Sequence, residues 1–92
     1  MGSFMGGSAP AMANQICDGY HLVSTLSLKR LSGDQLRTLE FEIDKKLREI
    51  RGERVDLSDQ PSLQNRNRRI SRLTNAMRVL RGTMQQRVRR GQ

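Results

Sequence analysis

The stretch SGDQLRTLEFEIDKKLREIRG, residues 32–52, reads as one helix with both ends marked. Ser32 and Gln35 have the Ser-x-x-Gln spacing of a capping box, in which each side chain satisfies a backbone amide left open at a helix start. Asp34 adds a negative charge at the positive end of the helix dipole. Leu36, Leu39, Ile43, Leu47 and Ile50 follow at steps of three and four. At 100° per residue they fall in one stripe about 80° wide, which must lie against something apolar. Gly52 is placed to stop the helix.

The apolar partner is found further along the chain. VDLSDQP, residues 55–61, reads as a turn, with Asp59 as the N-cap of a second helix and Pro61 in its first turn. Beyond it Leu63, Ile70, Met77 and Met84 recur every seven residues, and Leu73 and Leu80 sit three beyond Ile70 and Met77. These are the a and d positions of a coiled-coil seam. The seam is interrupted by charge at Arg66 and Arg87, and Gly82 weakens the helix by roughly 1 kcal/mol relative to alanine. A short connection between two such helices favours an antiparallel pair. The expected fold is therefore all-α, an antiparallel, coiled-coil-like two-helix hairpin over residues 32–90.

Upstream the pattern weakens. Residues 1–13, MGSFMGGSAPAMA, are rich in glycine, serine and alanine and read as a flexible leader that cannot repay the cost of ordering. Residues 14–31, NQICDGYHLVSTLSLKRL, mix helix-compatible leucines with Val, Ser and Thr. They read as a short third helix or a packing arm.

At 92 residues the chain has room for one small domain with a thin core and no large cleft. It holds 17 Lys and Arg against 9 Asp and Glu, a net charge of +8. The division is uneven: residues 1–59 carry all nine acids and eight bases, net −1, and residues 60–92 carry nine arginines and no acid, net +9. Arginine presents a planar, multi-donor fork to carboxylates and phosphates alike. On the hairpin, Glu42, Glu49 and Glu53 flank one side of the first stripe and Glu40 the other. Arg66, Arg69 and Arg87 flank one edge of the second seam, and Arg81 lies within it. Those are positions for interhelical ion pairs. Arg68, Arg72, Arg78, Arg89 and Arg90 point away from the seam, as an outward basic face suited to polyanions. Phe41 lies opposite the first stripe among Arg37, Lys45 and Arg48. It is either a lone exposed apolar residue, a surface for the 14–31 arm, or an aromatic anchor in a basic rim, as at protein-binding hot spots.

Catalytic chemistry finds no footing. One histidine, His21, and one cysteine, Cys17, give no two-His or multi-Cys metal set and no disulfide framework. No nucleophile and base, paired carboxylates or Gly-rich phosphate loop is present, so no catalytic residue, cofactor site or small-molecule substrate is expected. No apolar run reaches the length of a membrane span, and an intracellular, soluble protein is expected.

Arg69-Ile70-Ser71-Arg72-Leu73 followed by Met77-Arg78 resembles the second helix of the small two-helix protein family of the ribosomal large subunit, located near the nascent-chain exit. The capped start Leu31-Ser32-Gly33-Asp34-Gln35-Leu36 and the interval between helices are similar as well. The resemblance spans about residues 28–84 and rests on short, basic, helical elements. The chain departs from it at Arg48-Glu49-Ile50-Arg51-Gly52-Glu53 and in its long N-terminal part. It implies rRNA binding through Arg68, Arg72 and Arg78.

Taken together, the residues favour a non-enzymatic interaction or oligomerisation module. Its seam, Leu36, Leu39, Ile43, Leu47, Ile50, Ile70, Leu73, Met77, Leu80 and Met84, packs within the hairpin and against a partner helix or a second copy. RNA or DNA binding by the arginine-rich second helix is the alternative.

Overall fold

In a computed structural model, which describes residues 4 and 7–89, the chain is all-helical: α1 (Ala9–Cys17), α2 (Thr25–Leu28), α3 (Gly33–Arg51) and α4 (Gln60–Arg89). The molecule measures 50 × 25 × 19 Å, its long axis comparable to the length of the thirty-residue α4.

The start of α3 is built by the reciprocal bonds of a capping box. The Gln35 amide donates to Ser32 Oγ at 3.1 Å, and the Ser32 amide donates to Gln35 Oε1 at 2.8 Å. Gly52 closes the helix as its C-cap in the αR conformation. In the following turn Asp56 accepts from the Ser58 amide and hydroxyl, and Asp59 accepts from the Ser62 amide at 3.2 Å and from its hydroxyl at 2.7 Å. Those bonds favour the ionised carboxylates, so Asp56 and Asp59 both lie below the ordinary carboxylate range.

The flexible-leader reading of residues 1–13 does not hold over Ala9–Ala13, which form the first turns of α1. Ser8 caps the helix, accepting from the Ala11 amide at 3.2 Å, and Pro10 in the first turn needs no amide partner. Ala9, Met12, Ala13, Ile16 and Cys17 are buried at a spacing of three and four. The helix ends in a Schellman motif: the Gly19 amide donates to Ile16 O and the Tyr20 amide to Gln15 O. Gly19 has φ +84°, and a Cβ there would stand 2.9 Å from the Arg72 guanidinium carbon. Both the backbone and the neighbour call for glycine. Residues 1–3, 5 and 6 of the leader lie outside the described residues; Phe4 packs against the core.

Helix α1 packs on both α3 and α4, and α2 packs on α4. Leu36, Leu39, Ile43, Leu47, Ile50, Leu73, Met77 and Leu80 are buried in the same cluster as Met12, Ile16, Leu28 and Leu31, with Ile70 and Met84 half-buried against it. The architecture thus exceeds two helices and a short third. The seam is the internal core of one chain, and α1 occupies space that a second copy was expected to fill. Burying a side chain such as Ile16 contributes roughly 1.5–3 kcal/mol of transfer free energy, which offsets part of the cost of ordering α1.

Candidate interaction surface on helices 3 and 4

With the apolar stripes closed inside the chain, the arginines of α4 divide by what surrounds them. Arg72 is half-buried, and its Nη1 donates to Cys17 O at 3.1 Å, at the end of α1. Arg87 Nη2 donates to Leu28 O at 3.1 Å and Lys29 O at 3.3 Å, at the end of α2. Helix ends present open carbonyls and a partial negative charge, which a guanidinium satisfies in both respects. Each arginine therefore ties a short N-terminal element to α4. Arg72 leaves the set assigned to polyanions, and Arg87, placed by its spacing for an interhelical ion pair, binds backbone instead.

Two arginines of α4 do meet acids at a distance in sequence, one just past the end of α3 and one within it. Arg69 pairs with Glu53 at 3.1 Å, and Arg81 Nε donates to Glu40 Oε2 at 3.1 Å. Arg66 forms no ion pair among the described residues, and the Nε atoms of Arg66 and Arg69 are buried without a hydrogen bond. Within α3, Arg37 pairs with Asp34 and Arg48 with Asp44. Arg68, Arg78 and Arg89 are exposed and meet no acid among the described residues; Arg78 only touches Asn75 Oδ1 at 3.4 Å. Arg90 lies outside the described residues.

Phe41 is 58% exposed. It lines a hollow of about 320 Å³ with Arg37, Glu40, Asp44 and Arg81. A second hollow of about 280 Å³ shares Asp44 and Arg81 with the first and adds Leu47, Arg51, Thr74, Met77 and Arg78. The two adjoin through Asp44 and Arg81, with an aromatic ring in the first and arginines of both α3 and α4 around them. Arg51 and Arg78 bring charge that no acid of the described chain neutralises, and Arg81 reaches from α4 to Glu40 of α3. Spacing sets Arg37 in the rim around Phe41 and Arg81 within the seam, and it gives Arg51 no role. Only the docking of α3 on α4 sets them around adjoining hollows.

Chemically the lining offers the unpaired cations Arg51 and Arg78, the ion-paired Arg37 and Arg81, the carboxylates of Glu40 and Asp44, an aromatic face and a little apolar wall. It holds no nucleophile aligned with a base. Among the described residues no group of three or more His, Cys, Asp or Glu is placed to hold a metal ion, and no helix is long and apolar enough to cross a membrane. Cys17, the buried free thiol, has its pKa raised by burial first and by the adjacent Asp18 carboxylate second, against the opposing fields of Lys46, Arg69 and Arg72. That suppresses the thiolate and with it the nucleophile. Compared with protein-family models, curated proteins and solved structures, the chain finds no match.

Proposed function

We propose that this chain is a non-enzymatic protein-interaction module: an antiparallel α3–α4 hairpin, braced by α1 and α2, that receives an acidic amphipathic helix in the Phe41 cleft. The observation that carries the reading is the exposed ring of Phe41 beside Arg37 and Arg81, continuous with Arg51 and Arg78. Aromatic and arginine side chains together dominate protein-binding hot spots, and a glutamate-bearing helix would pair its acids with the walls while burying an apolar residue on Phe41. The net charge of +8 steers such a partner and opposes approach of a second copy of this chain.

The second reading, RNA or DNA binding, draws on one observation: Arg68, Arg78 and Arg89 are exposed on α4 and form no ion pair among the described residues. It is also what the ribosomal resemblance implies, now without Arg72. The contacts would be to phosphates and would carry little sequence preference.

One titration separates them. A Glu-rich amphipathic helical peptide and a single-stranded oligoribonucleotide are each added to the isotopically labelled full chain. Protein interaction expects amide shifts centred on Phe41, Thr74 and Arg81 with the peptide, and about tenfold weaker binding in Phe41→Ala. Oligonucleotide binding that falls steeply with salt, is abolished by the combined Arg68, Arg78 and Arg89→Gln change and ignores Phe41→Ala would replace it with the second reading.

A further inference from the structure

The link between α1 and α2 has a form that neither the hairpin nor the cleft explains. After the Schellman turn at Gly19, residues 20–24 form no helix, and Ser24 is extended at φ −131°, ψ 163°. Exposure alternates along them: Tyr20 is 84% exposed, His21 is turned in with Nε2 buried, Leu22 is 87% exposed, Val23 is buried and Ser24 is exposed. Alternation with period two is the signature of an extended strand lying on a surface. The two ends are tied by Arg72 and Arg87, fifteen residues apart on α4. That separation is about 22 Å of helix, close to the reach of the seven residues between α1 and α2 when drawn out.

The strap is unpaired. Among the described residues no hydrogen bond reaches the amide or carbonyl of His21, Leu22 or Val23, although helix and turn bonds satisfy the residues on both sides. An extended segment with open backbone groups and outward apolar side chains is a template for another strand. Its far end leads to a hollow of about 430 Å³ whose lining includes Thr25, Lys29, Gln86 and Arg87. Lys29 and its neighbour Arg30 are exposed and meet no acid among the described residues.

We propose that Tyr20–Ser24 is a docking edge for an extended peptide of a partner protein, which adds a strand to it and places an acidic residue in the Lys29–Arg87 hollow. Backbone pairing supplies affinity, Tyr20 and Leu22 contact alternate side chains of the peptide, and the cations set its direction. A bilayer is a poorer occupant, because inserting Tyr20 and Leu22 would carry the same open backbone groups into hydrocarbon, where nothing satisfies them. A second copy is disfavoured by like charge. The edge is separate from the Phe41 cleft: at 100° per residue, Arg72, Thr83 and Arg87 lie about 180° around α4 from Thr74, Arg78 and Arg81.

The test uses the full chain and a panel of short peptides alternating valine and threonine, ending in glutamate or in lysine. Each is also made with N-methyl groups on its odd or on its even amides. A glutamate-ended peptide is expected to shift the amides of residues 21–24, to bind about tenfold tighter than its lysine-ended counterpart, and to weaken about tenfold in Leu22→Asp, whose exposed side chain leaves the core untouched. One N-methylated set should lose binding while the other keeps it, because only alternate amides of a strand face its neighbour. The proposal is overturned if both methylated sets bind like the parent, if the lysine-ended peptide binds as well, if shifts fall only around Phe41, or if no glutamate-ended member binds at millimolar peptide. Binding of phosphatidylserine vesicles through Leu22, or a dimer dissolved by Leu22→Asp, would equally replace it.

Discussion

Arg72 and Arg78 stand six residues apart on one helix and serve opposite ends. Arg72 is half-buried, set against Gly19 and bonded to the last carbonyl of α1, whereas Arg78 lies exposed on the far flank of α4, hydrogen-bonded to Asn75. Their residue type is the same, and neither lies in the seam. The difference comes from what fills the space next to each: one flank of α4 is covered by α1 and α2, and the other borders the open hollows. An arginine-rich helix is thus no single basic face. Part of its charge holds the fold, and the exposed remainder is smaller and localised.

The comparison breaks most readily at α1. If the covered flank is real, Ile16→Ala removes a side chain buried in the core and lowers stability by about 2–5 kcal/mol, measured by urea denaturation. A change near zero would mean that α1 does not cover the seam at all. Next in size, Gly19→Ala sets a Cβ against Arg72 at a positive φ, and should cost about 1 kcal/mol or more, with loss of amide protection at the end of α1. On the cleft side the effects shrink. A double-mutant cycle on Glu40 and Arg81 should give a coupling of about 0.2–1 kcal/mol that declines with added salt, because both side chains are partly solvated.

The smallest effect is one of pH, at the turn feeding α4. Asp59 has its pKa lowered in the folded chain by the Ser62 hydroxyl and then the Ser62 amide. A lowered carboxylate contributes stability that is present above the unfolded-state value and is lost as pH falls through the folded-state one. The stability gap between the native chain and Asp59→Ala should therefore be widest near neutrality and narrow below about pH 4. A gap that widens on acidification would contradict the cap.

Helix α3 was legible because its signals are local: Ser32 and Gln35 cap it, and its stripe is built of large aliphatic residues at regular steps. The start of α4 was readable for the same reason, from Asp59 and Pro61. Helix α1 was not, since its buried face is built largely of Ala9, Ala13 and Cys17 beside Met12 and Ile16, small residues that resemble the composition of a linker. Ser8, Pro10 and Gly19 did mark its ends, and weighing those three punctuation residues above the glycine content would have found it. The role of Arg72 had no local signal. Its angle places it away from the seam, and only the return of α1 beside α4 makes that flank an interior. The hollows beside Arg81 belong to the same class, because they arise between α3 and α4 side chains distant in sequence.

The direct test of this division is urea denaturation of Arg72→Gln and Arg78→Gln side by side. Losing the charged donor at the end of α1 should lower stability by about 1–3 kcal/mol, while the exposed change should stay within about 0.5 kcal/mol. Equal effects from the two substitutions, or a larger one from Arg78→Gln, would contradict the claim that the chain uses one flank of α4 to hold itself together and leaves the other exposed.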